Sequence, residues 1–335
     1  MLQMFMANVR RFIDAFTIAL VLTVLLSAVA PCRGEFARAF GVITPAAIAV
    51  LFFLHGAKLS REAIIAGATH WRLHMLIFFG TFVLFPLLGL LFRPIVSVLL
   101  TPELFLGVLF LCVLPSTIQS SVAFTSIAGG NVPAAICSAS ASNVLAVFLT
   151  PILVSAFIAG ENAAVPVSNS AWEIILQILV PFLAGHLLRP WIGSWVASKQ
   201  RLIRFVDQGS ILLVVYSAFS GAVVDGLWQK IPLTALASLL VVDCLLLAIV
   251  MVSMWGLSCF FGFAHPDRIT ILFCGSKKSL ASGVPIAQVL FAGSSLVGPM
   301  ILPLMLFHQI QLMVCAALAQ RWAALRATTS NPASG

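Results

Sequence analysis

The sequence predicts an all-α polytopic membrane protein, and three observations point to this class. Of its 335 residues, 61% are hydrophobic and 8% are charged, whereas about a quarter of the residues in soluble domains are charged. Apolar segments long enough to cross a bilayer follow one another along the chain. Two of these segments carry polar runs near their middles, which is typical of membrane helices interrupted at a binding site.

Ten apolar segments are predicted to be membrane-spanning helices, since about 20 apolar residues cross a bilayer. They cover residues 12–30, 39–57, 73–92, 104–126, 132–158, 172–192, 207–227, 232–262, 269–291 and 296–319. The first is too long for the apolar core of a signal peptide and is therefore predicted to be a span. The eighth is longer than a straight crossing needs, so we expect it to tilt or to enter the interface.

The basic residues predict the orientation of these helices. Twelve of the 18 lysines and arginines lie at segment ends on the side of the N-terminus, and four lie at the opposite ends. Because cytoplasmic loops are enriched in these residues, both termini are predicted to be cytoplasmic. The expected location is a bacterial inner membrane. The net charge of +8 is thus spread over short loops, and no nucleic-acid partner is predicted.

The two halves of the chain repeat one another at an offset of about 160 residues, which relates Thr117 in the fourth segment to Lys277 in the ninth. Five helices per half is an odd number, so the second half is predicted to be inverted, as in secondary transporters. The predicted units are a first repeat at 1–158, a linker at 159–171, a second repeat at 172–320 and a disordered cytoplasmic tail at 321–335.

The ninth segment contains two lysines at a depth where charge is expensive. A lysine at the bilayer centre costs roughly 2.5–3.5 kcal/mol and is kept where it faces a cavity or a partner. Gly275 and Gly283 flank the run and would let the helix unwind. The alternative is a misplaced span, with the run in a cytoplasmic loop. The candidate site residues here are Ser276, Lys277, Lys278 and Ser279.

The fourth segment is interrupted by Pro115, which removes a backbone donor and frees carbonyls of the preceding turn. Hydroxyl and amide groups beside it could bind a cation or an anion. The alternative is a proline kink whose serines bond back to their own helix. The candidates are Ser116, Thr117, Gln119, Ser120 and Ser121, with Asn131 in the following turn and Asn143 in the small-residue fifth segment.

Asp243 lies midway along the eighth segment, among leucines and valines. A carboxylate in hydrocarbon takes up a proton or finds a cation. An ion pair of Asp243 with Lys277 or Lys278 is therefore predicted, either fixed or opening and closing as a proton moves.

No cofactor, metal site or enzymatic activity is predicted. The seven cysteines show no CxxC spacing and are expected to be buried thiols. The six histidines form no paired ligand pattern, and no Ser-Lys or His-Glu-His spacing suggests catalysis.

The runs at 114–121 (LPSTIQSS), 130–135 (GNVPAA) and 275–281 (GSKKSLA) carry a family resemblance across almost the whole chain. The sequence resembles the bile acid:sodium symporter superfamily, and more closely its SBF-like branch of bacterial YfeH-type proteins and solute carrier family 10 member 7. The resemblance implies a core domain of segments three to five and eight to ten, and a panel domain of segments one, two, six and seven. It also implies that segments four and nine cross at the site.

The break in the ninth segment departs from the sodium-coupled branch, which has an acidic residue and a glutamine there. This chain has Cys274, Ser276, Lys277 and Lys278 instead. An ammonium at a sodium ligand's position repels sodium. The pattern is similar to cation:proton antiporters of related architecture and favours proton coupling or a lysine acting as a tethered cation.

Three functions remain open at this point. The first is a secondary transporter of a small organic anion, with Lys277 and Lys278 as counter-charges and a proton or sodium gradient as the driving force. The second is a cation/proton antiporter that uses Asp243 and the lysines. The third is a membrane regulator that has kept the fold and lost transport. The sequence predicts no oligomeric state.

Overall fold

The computed structural model describes residues 15–58, 70–158, 171–226, 229, 231–291 and 297–329, and every regular element in these ranges is helical. The helices are α1 (Ala15–Val29), α2 (Gly34–Lys58), α3 (Trp71–Leu91), α4 (Arg93–Leu99), α5 (Pro102–Cys112), α6 (Ile118–Ala128), α7 (Val132–Phe157), α8 (Ala171–Ser198), α9 (Gln200–Val224), α10 (Leu233–Phe260), α11 (His265–Gly275), α12 (Leu280–Leu290) and α13 (Val297–Thr329).

The all-helical class predicted from the sequence is confirmed. Within the described ranges, α2, α3, α7, α9, α10 and α13 are long and apolar enough to cross a membrane. The shorter α1 and α5 are also apolar. These helices fall on the apolar segments of the sequence, whereas the short α4 was not predicted.

Helix breaks fall at the two polar runs. The first separates α5 from α6 at residues 113–117, where Pro115 prevents the α5 hydrogen-bond ladder from continuing. The second separates α11 from α12 at residues 276–279. Helix α6 ends at Gly129, whose φ of 76° is readily adopted only by a residue without a side chain. A further irregularity is the π-helical turn Gly80–Leu84 inside α3.

Close backbone contact joins α2 to α8. A Cβ atom on Gly56 would lie 1.9 Å from the Phe182 carbonyl oxygen, and one on Gly185 would lie 1.9 Å from that of Phe53. Glycine at these positions allows the two helices to approach along their backbones, as small residues do in membrane helix pairs.

The predicted disordered tail at 321–335 is wrong for residues 321–329, which continue α13. Tertiary contacts hold this part of the helix. The Trp322 ring stacks on Trp255 at 5.3 Å, and Arg326 Nη2 donates to the Ile127 carbonyl at 2.6 Å. Residues 330–335 lie outside the described part. So does the predicted linker at 159–171, except that Ala171 begins α8.

Candidate functional site

The two helix breaks meet inside the protein and form hydrogen bonds with each other. The Ser279 N–H donates to the Pro115 carbonyl at 2.9 Å. The Thr117 hydroxyl donates to the Lys278 carbonyl, also at 2.9 Å. Unwound backbone at membrane depth needs such internal partners, because lipid offers none. Each break therefore supplies the hydrogen bonds that the other lacks.

Hydroxyls of the first break cap the carboxyl end of α11. Ser116 Oγ donates to the Cys274 carbonyl at 2.6 Å, and Ser121 Oγ donates to the Phe273 carbonyl at 3.1 Å. The last carbonyls of a helix have no partner within it. Both predicted site residues are fully buried and satisfy these carbonyls.

Ser276 and Ser279 bond within their own segment. The Ser276 hydroxyl donates to the Leu272 carbonyl of α11 at 2.6 Å. The Ser279 hydroxyl accepts from the Ser282 N–H at 3.2 Å and so caps the amino end of α12. Both serines therefore help to end one half-helix and begin the next.

The Lys278 ammonium lies at the carboxyl end of α5. Its Nζ donates to the carbonyls of Thr81, Cys112 and Leu114 at 2.8, 2.8 and 2.7 Å, and it lies 4.1 Å from the centre of the Phe85 ring. Three acceptors match the three protons of an ammonium. The charge also opposes the negative end of the α5 dipole. Lys278 is thus a cation that the protein itself places among backbone carbonyls.

The Lys277 ammonium has no oxygen acceptor among the described residues. Its side chain is fully buried, and Nζ lies 4.0 Å from the centre of the Phe124 ring and 5.4 Å from that of Phe273. Aromatic faces attract a cation by about 2 kcal/mol or more when it is desolvated. That attraction offsets only part of the cost of burying the charge. Positive charge at this point is therefore largely uncompensated.

Asn143 of α7 joins the first break to the amino end of α12. Its Nδ2 donates to the carbonyls of Ser116 and Ala139 at 2.8 and 2.9 Å, while its Oδ1 accepts from the Ser282 hydroxyl at 2.6 Å. Ser142, one residue earlier, accepts from the Ser116 N–H at 3.0 Å. The polar groups of α7 therefore do more than allow close helix packing.

The predicted ion pair between Asp243 and a lysine is not formed. Asp243 is fully buried on α10, and neither carboxylate oxygen has a hydrogen-bond partner in the described ranges. The three protons of Lys278 are taken by carbonyls. The Lys277 side chain lies against rings of α6 and α11 instead. Helices α10 and α11 follow one another in the chain, but Asp243 of α10 does not contact the lysines that follow α11.

Three predicted residues lie apart from this hydrogen-bond network. Gln119 is exposed, and the half-buried Ser120 has a hydroxyl without a partner among described residues. Asn131 caps the amino end of α7 by accepting from the Ala134 N–H, and its Nδ2 donates to Asp267 at 2.9 Å. It thereby ties the α6–α7 turn to α11.

Residues that sequence reasoning missed complete the surroundings of Lys278. Gln311 of α13 holds its backbone, since Oε1 accepts from the Lys278 N–H and Nε2 donates to the Lys278 carbonyl, each at 2.8 Å. A polar cluster at 308–311 (HQIQ) within the tenth apolar segment could have indicated this role. Thr81 offers its carbonyl from within the π-helical turn, which no sequence pattern marks.

Two interrupted helices whose breaks meet among helices long and apolar enough to cross a membrane are typical of integral membrane transporters. The chain belongs to the SBF-like CPA transporter family, whose model matches residues 14–324. The predicted resemblance to the bile acid:sodium symporter superfamily and its SBF-like branch is thereby confirmed.

Curated relatives agree with this assignment. An uncharacterized protein of Pseudomonas aeruginosa is 59% identical over 321 residues, which are 96% of each chain. YfeH of Escherichia coli, named as a candidate symporter, is 54% identical over 312 residues and 93% of each chain. The mouse sodium/bile acid cotransporter 7 is 28% identical over 279 residues, which are 81% of this chain and 80% of the relative.

Proposed function

We propose that the protein is a secondary active transporter of a small organic anion, driven by a proton or sodium gradient, in the bacterial inner membrane with both termini cytoplasmic. Transport proceeds by alternating access at the crossing of the two helix breaks. The ten-span plan assigns α5–α6 and α11–α12 to the fourth and ninth spans of two inverted repeats. A single anion site at the ends of these broken helices would open to one side of the membrane in one orientation of the core and to the other side in the second orientation.

The observation that carries this proposal is the Lys277 ammonium, fully buried beside the crossing with no oxygen acceptor in the described structure. A buried charge of this kind costs several kcal/mol. An anion bound nearby would recover much of that cost, whereas a cation would add to it. Retention of Lys277 therefore favours an anionic substrate.

The amino end of α6 supports the same sign of charge. Thr117 stands at its N-cap position, but its hydroxyl bonds Lys278 rather than the α6 backbone. The first N–H groups of α6 thus have no side-chain cap, and Ile118 and Gln119 beside them are exposed. Free N–H groups at a helix start bind anions. We assign the substrate to this end, with Gln119 and Ser120 as further hydrogen-bonding groups.

Lys278 replaces a coupling cation at the crossing in this proposal. Carbonyls at the end of a broken helix are the groups that coordinate sodium in other transporters. Here three of them accept hydrogen bonds from Lys278. A sodium ion at the same carbonyls would compete with a tethered ammonium, so any coupling ion binds elsewhere.

The packing of the helices is consistent with two bodies that move against each other. Helices α3–α7 and α10–α13 would form the core, while α1, α2, α8 and α9 would form the panel. The Gly56 and Gly185 contacts tie α2 to α8 within the panel. The Asn131 bonds to Asp267 and Thr270 tie two turns within the core.

Flux into proteoliposomes tests the proposal. Radiolabelled taurocholate, a bile acid anion, and a series of smaller carboxylates serve as probes, with inward proton or sodium gradients applied separately. We expect gradient-stimulated uptake of at least one anion. Release of protons on addition of sodium or potassium, with no anion uptake, would instead support the cation/proton antiporter, for which the unpartnered Asp243 is the favouring feature. No flux under any gradient would support a non-transporting regulator.

A further inference from the structure

Asp243 is a second buried charged residue that the structure leaves without a partner. It lies about 15 Å along α10 from Leu233, and its side chain is fully buried in the apolar core. Neither carboxylate oxygen receives a hydrogen bond from any described residue. An ionised carboxylate buried in this way costs several kcal/mol, whereas its neutral acid lacks only hydrogen bonds worth about 1–3 kcal/mol each. The geometry therefore favours the protonated side chain.

We infer that Asp243 is the proton-binding site that couples transport to the proton gradient, an inference that rests on the function proposed above. A proton from water on one side binds a carboxylate oxygen of Asp243 and yields the neutral acid. The core then reorients with this side chain buried. On the other side the same proton returns to water and leaves the carboxylate. One proton crosses per cycle, and Asp243 needs no fixed ion pair to carry it.

Among the described residues, no cation makes a hydrogen bond or ion pair with Asp243. Cys112 of α5 and Cys244 on α10 itself lie within electrostatic range of it. Other charged or titratable groups on the helices and the break packed against α10 make no hydrogen bond or ion pair with Asp243. These groups are Arg72, His74, Arg93, His265, Asp267, Arg268, Cys274, Lys277, Lys278, His308, Cys315, Arg321 and Arg326.

Cys112 provides the connection to the crossing. Its carbonyl accepts a hydrogen bond from Lys278 Nζ, and its thiol lies within electrostatic range of both Lys278 and Asp243. Loss of the proton from Asp243 would therefore place a negative charge near Cys112, at the end of α5 that Lys278 caps.

Infrared difference spectroscopy of the full chain in lipid vesicles tests the proton site without a substrate. The probe is the carbonyl stretch of a protonated carboxylic acid, which shifts when H₂O is replaced by D₂O. We expect this band at neutral pH in the parent and in Asp225→Asn, which alters an exposed carboxylate at the end of α9. The band should be absent from Asp243→Asn. An unchanged band in Asp243→Asn, or no such band in the parent, would overturn the inference.

Transport by the same three proteins tests coupling. In proteoliposomes the parent and Asp225→Asn should accumulate the anion, taurocholate or a smaller carboxylate, that the parent takes up when an inward proton gradient is applied. Asp243→Asn mimics the neutral acid, so it should still exchange this anion across the membrane at equal pH but lose gradient-driven accumulation. Continued accumulation by Asp243→Asn would contradict the coupling role. Absence of flux in the parent would instead contradict the proposed transport function, while the infrared result would still decide whether Asp243 holds a proton.

Discussion

Two adjacent lysines have opposite surroundings, and this contrast dominates the site at the scale of single residues. Lys278 gives its three protons to carbonyls of α3, α5 and the first break. Lys277 lies beside two aromatic rings and has no oxygen acceptor in the described chain. Lys278 therefore stabilises the contact between the two breaks, whereas the buried charge of Lys277 lowers the stability of the folded protein.

Methionine substitutions should shift stability in opposite directions. Lys278→Met leaves three buried carbonyls without a donor, at about 1–3 kcal/mol each, and should lower the unfolding midpoint strongly. Lys277→Met replaces an unpaired buried charge with an apolar chain of similar length and should raise stability by about 1 kcal/mol or more. Thermal unfolding of both variants in the same detergent measures this. A fall in the midpoint for Lys277→Met would contradict the description of its surroundings.

The sequence predicted these lysines as buried site residues but could not assign their partners. Helical and strand periods predict side-chain direction only where the backbone is regular. Residues 276–279 lie between helices, so the directions of Lys277 and Lys278 follow from tertiary contacts. The same limit explains why the predicted ion pair of Asp243 with a lysine is wrong. That prediction assumed that charged residues on consecutive helices would face each other.

At the scale of elements, each broken helix is completed by the other. The hydroxyls of Ser116, Thr117 and Ser121 all donate to carbonyls of residues 273–278. The positions of the breaks were predictable, because proline, glycine and polar runs stand out in apolar segments. The π-helical turn that presents Thr81 was not, since it has no local sequence signal.

Two isosteric substitutions in and beside α6 compare a hydroxyl that bonds across the two breaks with a buried hydroxyl that has no partner in the described structure. Thr117→Val removes the hydroxyl that donates to Lys278 and should destabilise the protein by about 1 kcal/mol and slow transport. Thr125→Val removes a fully buried hydroxyl that has no partner among the described residues, so it should be neutral or slightly stabilising. Thermal unfolding and anion uptake measure both. Equal effects of the two substitutions would mean that the bond across the breaks contributes nothing.

At the scale of the whole molecule, contacts between turns and helix ends hold distant parts of the chain together. The α6–α7 turn bonds α11 through Asn131, and Arg326 at the end of α13 bonds the carbonyl of Ile127. The sequence predicts a binding role for Asn131 and a disordered tail after residue 320. In the structure Asn131 and Arg326 form long-range contacts, which depend on the helix ends that meet in the fold.

Cysteine labelling of intact cells tests the proposed orientation. Ser198, the last residue of α8, and Asp225, the residue after α9, lie on either side of α9, whose 25 residues exceed the thickness of the hydrocarbon core. A membrane-impermeant maleimide added outside should label Asp225→Cys but not Ser198→Cys, above the background of the parent. Both should react after the membrane is permeabilised. Labelling of Ser198→Cys alone would reverse the orientation.

The most direct measurement of the central claim is anion uptake by Lys277→Met, reconstituted in the same amount as the parent and shown to be folded by its unfolding midpoint. If the unpaired ammonium attracts the substrate, this variant should unfold at a higher temperature than the parent and lose at least nine-tenths of its uptake, corresponding to about 1.4 kcal/mol of lost interaction. Uptake at the rate of the parent would contradict the claim that Lys277 provides the charge for an anionic substrate.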